Sequence, residues 1–391
     1  MKIKLAQRMN SFSSSIFTEL ALYKSEKLKE GKTIIDLSIG SPDLPPPDFV
    51  KDAIGSLSLN SNQYGYSLAG TKNFHDAVGA FYKKNYDVEL DTEVEILQLM
   101  GSQDGLVHLP MVLANPGDII LVPDPGYTAY ATGIAMAGAT PFFMPLKKEN
   151  SFFPDFTSIP EEIAKKASLM ILNFPGNPIP AMATKEMFQA AIEFAKKFNI
   201  IILHDFAYSE LYYSDAKPIS FLSLPGSKEV GIEMNSLSKS YNMAGCRIAY
   251  ATGNTEIIAA LKQLKSNLDY GVFYPIQNAA TLALQQGAEF NEQTRVIYKS
   301  RRDCLINGLN EIGWKVEAPQ AGMFVWAELP SNWTSKQFAF ELMNRAGVAV
   351  TPGIAFGPSG EGYVRIALVQ DEATLHQAVN NIANSGIITA N

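Results

Sequence analysis

The chain has few cysteines and few charges, and each shortage excludes a class of protein. Only two cysteines, Cys246 and Cys304, occur among 391 residues, and no Cys-x-x-Cys motif is present. This usage is unlike a disulfide scaffold and is typical of free thiols in a reducing compartment. Charged residues make up 18% of the chain and the net charge is −7, so the basic surface of a nucleic-acid-binding protein is missing. We expect no nucleic-acid partner.

Long apolar runs and basic clusters are also missing. No stretch reaches the roughly 18 apolar residues that a spanning helix needs, and no polybasic run would hold the chain to an anionic membrane. The first ten residues are not followed by the apolar segment of a signal peptide. The sequence therefore predicts a cytoplasmic protein without membrane association.

Several motifs are absent or incomplete. Residues 31–33, Gly-Lys-Thr, resemble the end of a phosphate loop, but Glu26 stands where that loop needs glycine. No GxGxxG follows a strand, which argues against a nicotinamide dehydrogenase. Ser236-x-x-Lys239 matches a motif of serine β-lactamases, but no Lys-Thr-Gly follows it. Histidines and cysteines are too scattered for a metal site, and we predict no metal.

An ample apolar core is what the chain does have. Hydrophobic residues make up 47%, and at about 150 residues per domain the length suggests two or three domains. From about residue 70, short runs that are apolar on both faces alternate with helical patterns. This alternation predicts an α/β fold with a mostly parallel sheet covered by helices on both sides. The expected strands are 95–100, 118–122, 139–145, 169–173, 200–204 and 247–252, and the expected helices are 72–85, 104–114, 126–137 and 185–198.

The pattern changes near both ends of the chain. The first thirty residues look helical, residues 34–38 form a short apolar strand, and three prolines at 45–47 make an extended connector. We expect an N-terminal arm over 1–47 that packs on a small domain, a large domain over 48–285 and the small α+β domain over 286–391. The expected helices of the small domain are 290–312, 335–346 and 371–385, and its expected strands are 314–317, 322–328, 348–350 and 363–368.

Polar residues follow several of the predicted strands. Met100-Gly101-Ser102-Gln103 lies where a strand turns into a helix, and backbone N–H groups at such a start bind phosphate. A plain turn is the alternative. Tyr127 follows the strand that ends at Val122, and it would either stack on a planar ring or pack in the core.

The next strands end in similar positions. Residues 173–178 form a turn-rich segment at a strand's carboxyl end, where open α/β sheets bind ligands. Asp205 ends a buried strand and needs a partner, such as a protonated ring nitrogen, unless it caps the next helix. Lys239 follows a short strand and forms a Schiff base if its pKa is lowered; otherwise it is a surface lysine. Arg247 follows eight residues later.

Taken in order, these residues resemble the fold-type I pyridoxal-phosphate enzymes, specifically the class I/II aminotransferases of the diaminopimelate and aspartate type. The densest match is Asn235-Ser-Leu-Ser-Lys-Ser-Tyr-Asn-Met-Ala-Gly-Cys-Arg247. The resemblance implies a large domain with a sheet of the seven-stranded type and a smaller α+β domain. It also implies transfer of an amino group between an L-amino acid and a 2-oxo acid by a ping-pong Schiff-base mechanism.

The resemblance also implies roles for single residues. Lys239 would hold pyridoxal 5′-phosphate covalently, and Asp205 would keep the pyridine nitrogen protonated. Asn177 and Tyr208 would donate hydrogen bonds to the 3′ oxygen, and Tyr127 would stack on the ring. The residues that would hold the phosphate are Ser102, Gln103, Ser236 and Arg247.

Substrate binding and assembly are implied in the same way. Arg365, flanked by apolar residues, would hold the substrate α-carboxylate through two hydrogen bonds, helped by Asn173, Asn177 and backbone near Gly40. Tyr66, or alternatively Tyr64, would reach the phosphate of a neighbouring subunit. The active site would then be shared between the subunits of a homodimer.

The sequence departs from the family pattern in three places. Ile179-Pro180 stands where the family usually has Thr-Gly, and Cys246 stands where it often has tryptophan. Residues 266–273 resemble the diaminopimelate branch but contain no arginine for a distal carboxylate. The amino donor therefore remains open. A pyridoxal-phosphate C–S lyase of the cystathionine β-lyase type is the nearest alternative function, and a regulatory binding module is a more distant one.

Overall fold

Helices and strands alternate along most of the chain in a computed structural model that describes residues 3–12, 16–330 and 333–388. The strands are β1 (Ile35–Asp36), β2 (Ile96–Leu99), β3 (Ile119–Asp124), β4 (Thr140–Pro145), β5 (Ala167–Asn173), β6 (Ile201–Asp205), β7 (Gly231–Ser236), β8 (Ala249–Gly253), β9 (Phe324–Glu328), β10 (Val348–Ala349), β11 (Thr351–Pro352) and β12 (Tyr363–Ala367). The α-helices are α1 (Ile16–Lys29), α2 (Asp48–Ser58), α3 (Lys72–Tyr86), α4 (Ser102–Leu113), α5 (Ala129–Ala137), α6 (Glu161–Ala164), α7 (Lys185–Phe198), α8 (Ser227–Val230), α9 (Leu237–Ser240), α10 (Thr255–Lys265), α11 (Tyr274–Gln286), α12 (Ala288–Glu311), α13 (Ser335–Ala346) and α14 (Glu372–Asn384).

The large sheet has seven strands in the order β2-β8-β7-β6-β5-β3-β4. Strand β8 runs antiparallel to both of its neighbours, and the other strands share one direction. Central strands such as β5 are buried along nearly their whole length, because helices cover both faces of the sheet. The predicted mostly parallel α/β sheet is confirmed. Since Asn173 pairs with Asp205 in register, polar residues at neighbouring strand ends lie side by side.

The prediction that residues 139–145 are buried on both faces is wrong. Strand β4 is an edge strand that pairs only with β3, and most of its side chains are exposed. Met144 is its one fully buried residue. Pro141 and Pro145 fit this position, because proline cannot donate to a sheet ladder and is tolerated at an edge.

A second, smaller sheet forms from the C-terminal part of the chain. Strands β11, β12 and β9 are antiparallel, and α12, α13 and α14 lie nearby with their own apolar core. The strand expected at 314–317 does not form. Trp314 is buried and donates its indole N–H to the Glu328 carbonyl oxygen over 2.7 Å, and the Val316 N–H donates to the Asn310 side chain over 3.0 Å. The segment is thus held by one side-chain hydrogen bond to Glu328 of β9 and one from Val316 to Asn310 of α12, and it does not form a strand.

The N-terminal segment packs on this smaller unit. Strand β1 pairs in parallel with β10, with Ile35 opposite Val348. Helix α1 packs on α13, where the Tyr23 and Phe340 rings lie 4.9 Å apart. The helix expected over the first thirty residues is α1 preceded by a short 3-10 helix at Gln7–Ser11, and residues 1–2 and 13–15 lie outside the described residues.

Candidate active site

A cavity of about 530 Å³ lies between the carboxyl ends of the large sheet's strands and the smaller unit. Parallel sheets place ligands at this edge, because loops that follow neighbouring strands converge there. Many of the residues singled out from the sequence line it: Gly40, Ser102, Tyr127, Asn173, Asn177, Asp205, Tyr208, Lys239 and Arg365.

Asp205 is a buried carboxylate with one unsatisfied oxygen. Its Oδ2 accepts a hydrogen bond from the Tyr130 hydroxyl at 2.8 Å, whereas Oδ1 is buried and has no hydrogen-bond partner among the described residues. Burial raises the pKa of the Asp205 carboxyl, and the Tyr130 hydroxyl opposes this shift. A buried carboxylate oxygen without a donor is costly, so the site suits a ligand that brings an N–H group.

Lys239 faces the same cavity from α9, just after β7. Its Nζ donates to the Gly40 carbonyl oxygen at 2.7 Å. Burial, followed by the positive charges of Arg365 and Arg247, lowers the pKa of Lys239 to about 8. Roughly a tenth of the amine is therefore neutral and nucleophilic at pH 7, against less than about a thousandth for an ordinary lysine.

The segment after β5 joins these groups to Arg365. The Asn173 side chain donates to the Asp205 carbonyl oxygen at 2.7 Å and accepts from the Asn177 N–H at 2.9 Å. Asn177 Oδ1 in turn accepts from Arg365 Nη1 at 2.8 Å. The turn-rich segment is thereby held by side-chain hydrogen bonds in addition to its backbone, and residues 179 and 180 are buried with it.

Arg365 is a buried cation without a buried anion. Its Nη2 donates to the Ser38 carbonyl oxygen at 2.7 Å, and its Nε has no acceptor among the described residues. The guanidinium carbon lies 4.2 Å from the Phe324 ring centre and 4.8 Å from that of Phe356. Burial lowers the pKa of Arg365 to about 10. With no ion pair to any described carboxylate, this cation is suited to an anionic ligand.

Tyr127 and Tyr208 contribute aromatic surface to the cavity. Burial raises the pKa of both hydroxyls, so both stay protonated and able to donate. The Tyr127 ring meets Tyr130 edge-on at 5.8 Å, and the Tyr208 ring meets Phe324 in the same way at 5.8 Å. These contacts fix the two rings, which leaves their remaining surface for a planar ligand.

Three of the residues expected to bind phosphate lie outside the cavity wall. Gln103 is exposed on the first turn of α4, and Ser236 is buried, with its Oγ accepting from the Ser238 N–H at 3.2 Å. Arg247 is exposed and lies beside Gly101, where an added Cβ would collide with its guanidinium. The arginine and the N-terminus of α4 are nevertheless adjacent to Ser102, which does line the cavity.

Tyr64 and Tyr66 do not line the cavity. Both are largely exposed, and their rings pack against Phe273 at 5.2 Å and Tyr270 at 4.8 Å. The Tyr64 hydroxyl donates to the Ser58 carbonyl oxygen at 2.7 Å. The Tyr66 hydroxyl donates to no group that the structure describes.

The residues present fit pyridoxal phosphate. A pyridine N–H would satisfy the orphaned Asp205 Oδ1, and the partly neutral Lys239 amine suits an aldehyde. The N-terminus of α4 with the adjacent Arg247 suits a phosphate group. Among the described residues, no cluster of histidine, cysteine and acidic side chains has the arrangement of a metal site. None of the helices described is long and apolar enough to cross a membrane.

Sequence reasoning missed several residues of the site. Tyr130, whose hydroxyl donates to Asp205, lies on α5, whereas Tyr127 precedes that helix, and no pattern in the sequence pairs Tyr130 with Asp205. Lys24 and its neighbours on α1 were recognised as a helical pattern, but not as a cavity wall. Their role depends on how α1 docks on α13, which no local pattern specifies.

Comparisons with known proteins agree with this geometry. A model of the family described as aminotransferase class I and II matches residues 32–382. The chain is 42% identical to an LL-diaminopimelate aminotransferase of Maridesulfovibrio salexigens over 98% of its own length and 99% of the relative's. Among solved structures it is similar to substrate-bound BacF of Bacillus subtilis, with a TM-score of 0.95 and 38% identity over 100% of both chains. It is also similar to an aspartate aminotransferase variant of Thermus thermophilus, with a TM-score of 0.91 and 26% identity over 98% of this chain and 100% of that one.

Proposed function

The chain belongs to the class I and II aminotransferases, which use pyridoxal phosphate to move amino groups between amino acids and 2-oxo acids, and from this premise we propose which residues perform the reaction. The observation that carries the proposal is that Lys239, Asp205 and Arg365 face one cavity. The full-length relatives named as aminotransferases favour this activity over the C–S lyase.

Lys239 is proposed to bind the cofactor and to move the proton. When bound, pyridoxal phosphate withdraws electrons from the amino acid's Cα and so makes the Cα proton acidic. The neutral Lys239 amine, once free, accepts that proton as a general base. Its pKa of about 8 suits the task, because a catalytic base works best when its pKa lies near the working pH.

The remaining cofactor contacts follow from position and donor chemistry. Asp205 holds a proton on the pyridine nitrogen, and the Tyr130 hydrogen bond orients the carboxylate. Tyr208 and Asn177 line the cavity and would donate to the 3′ oxygen, and Tyr127 would supply a ring face. The proposed phosphate ligands are Ser102, Gln103, Ser236 and Arg247.

Arg365 is proposed to bind the substrate α-carboxylate. The guanidinium has no anionic partner within the described part of the chain, and a carboxylate would supply the charge that its burial demands. Guanidinium and carboxylate match in a planar, two-bond geometry. Asn173 and the Gly40 backbone border the same part of the cavity.

Replacing Arg365 by methionine should raise KM for every amino donor, and this tests the proposed function. Removing one member of a buried charge pair costs roughly 2–5 kcal/mol, which corresponds to at least about a 30-fold rise. The measurement is the loss of cofactor absorbance with LL-diaminopimelate, L-glutamate, L-alanine or L-phenylalanine as donor. Arg365→Lys keeps the positive charge but loses the planar pair of N–H donors. Its KM should therefore lie between those of Arg365→Met and the wild type.

Two results would contradict this assignment. One is an unchanged KM for all donors in Arg365→Met. The other is release of pyruvate and ammonia from cysteine by the wild type without an added 2-oxo acid, which would favour the lyase.

The protein is also proposed to be a homodimer with a shared site. The exposed aromatic cluster of Tyr64, Tyr66 and Tyr270 is a surface suited to a second copy of the chain. Tyr66 is the better candidate for the partner's phosphate, because its hydroxyl has no described acceptor, whereas that of Tyr64 is bonded to Ser58.

Tyr66→Phe should weaken cofactor binding about tenfold, the effect of losing one hydrogen bond to a charged group. Tyr64→Phe is the matched control and should bind cofactor normally. Fluorescence titration gives the affinity, and sedimentation gives the assembly state. A monomeric wild type, or an equal loss in both variants, would contradict the shared site.

A cytoplasmic location is proposed on the state of the thiols. Cys246 and Cys304 are both unpaired, and burial raises the pKa of each thiol. Free thiols of this kind are typical of a reducing compartment.

A further inference from the structure

One face of α1 forms a wall of the cavity. The residues that line it are Phe17, Leu20, Ala21 and Lys24. Positions separated by three, four and seven residues lie on one side of a helix, so the whole face is turned toward the cavity. Its first three residues are apolar, and the fourth is a cation.

Helix α1 is held firmly in this position. Leu20 is 5% exposed and packs with Met343 and Ala349. At the exposed side, Glu19 accepts from Lys336 at 2.6 Å. Because the helix is anchored on both sides, the backbone of Lys24 is fixed and its side chain extends into the cavity lining.

Lys24 has donor capacity that the protein leaves unused. Its Nζ binds Asp36 Oδ2 at 2.6 Å, and no other described group accepts from it. An ammonium group has three donors, so two remain. Asp36 does not depend on this contact alone, because its Oδ1 accepts from the Ser38 N–H at 2.9 Å and from the Ser38 hydroxyl at 2.6 Å.

Among the charged residues of the cavity wall, Lys24 is the one without a task in the proposed function. The others are Asp205, Lys239 and Arg365. Lys24 is also only partly covered, with 28% of its side chain exposed, and its stem is long and flexible. The Lys24 side chain can therefore turn toward a ligand while its ammonium group stays partly in contact with water.

We propose that Lys24 determines substrate specificity by binding an acidic group at the far end of the substrate side chain. An amino acid that is held by Arg365 at its α-carboxylate and presents its Cα proton to Lys239 must direct its side chain elsewhere in the cavity. The apolar residues of α1 suit a methylene chain, and the Lys24 ammonium suits a terminal carboxylate. The inference rests on the proposed function, because it takes the α-carboxylate to lie on Arg365.

The test compares L-glutamate with L-leucine as donors for the cofactor-loaded enzyme. In Lys24→Met, the ratio of kcat/KM for glutamate to that for leucine should fall at least tenfold. Lys24→Arg should keep the wild-type ratio. Lys29→Met is the matched control, because Lys29 lies on the same helix, is exposed and does not line the cavity; it should leave the ratio unchanged.

The dependence of the glutamate-to-leucine ratio on salt concentration is a second test of the same contact. The wild-type ratio should decrease as ionic strength rises, since salt screens a partly exposed charge pair, and the Lys24→Met ratio should not. If Lys24→Met is poorly folded, Lys24→Gln replaces it.

The outcomes separate this inference from the proposed function. An unchanged ratio in a variant with normal cofactor absorbance would overturn the role of Lys24 and leave the transaminase assignment intact. A wild type in which no donor consumes the cofactor absorbance would overturn both.

Discussion

Alanine at position 239 should lower transamination by on the order of 10⁴-fold, the upper end of the effect of removing a general acid–base group. The variant loses both the amine that attaches the cofactor and the base that moves the Cα proton. Asp205, Arg365 and the N-terminus of α4 remain, so the cavity should still hold the cofactor without a covalent bond. Activity assays with saturating cofactor, combined with absorbance spectra, measure both effects.

Lys228 offers a matched control for this variant. It lies in α8, a four-residue helix at the start of β7, whereas Lys239 lies in the four-residue helix at the end of that strand. After borohydride reduction of the loaded wild type, the pyridoxyl mass should appear on the peptide containing Lys239. Lys228→Ala should retain activity. A label on another lysine, or an active Lys239→Ala enzyme, would refute the assignment.

The pH dependence of cofactor attachment tests the same amine. Because the neutral form reacts, attachment should be slow at acidic pH, rise with pH and level off above the Lys239 pKa of about 8. For an exposed lysine, the attachment rate would continue to rise with pH until about pH 10.4. A midpoint near that higher value would show that the reacting amine is not in the cavity.

Asparagine in place of Asp205 should reduce kcat by about 10²- to 10³-fold, the usual effect of removing one preorganised electrostatic group from an active site. The amide keeps the size of the side chain but cannot hold a proton on the pyridine nitrogen. The buried Oδ1 without a donor is where that proton would be shared. Steady-state kinetics and the absorbance maximum of the bound cofactor report the loss.

Asp124 provides the control for a buried carboxylate at a strand end. It ends β3, is buried, and its Oδ2 accepts from the Ser359 hydroxyl at 2.7 Å outside the cavity. Asp124→Asn should therefore affect the melting temperature more than kcat. If both variants lose stability and kcat in parallel, Asp205 has a structural role only.

Short sequence signals singled out several residues that the structure places around one cavity. Asp205 and Asn173 each end an apolar run, and strand ends of a parallel sheet meet at one edge, so their proximity followed from the strand pattern. Lys239 was identified by its spacing after β7 and by the resemblance of the surrounding segment. These signals are local, which is why a single sequence was enough to find them.

The errors came from long-range structure. Whether residues 140–145 lie inside the sheet or at its edge depends on which strand pairs next, and the run itself does not specify this. The Trp314 segment has a strand-like composition, but the Val316 backbone N–H donates to the Asn310 side chain instead of to a neighbouring strand. The partnership of Tyr130 with Asp205 joins residues 75 positions apart and required the folded sheet.

The pairing of β1 with β10 has a consequence for how the protein is made. Ile35 and Asp36 find their sheet partners only at Val348 and Ala349, near the other end of the chain. A ribosome releases the N-terminus first, so every strand of the large sheet has been synthesised before β10 exists. The segment that carries Gly40, whose carbonyl oxygen accepts from Lys239, can be fixed in place by this pairing only after residues 348 and 349 have been synthesised. A complete cofactor cavity therefore cannot form before β10 has been synthesised.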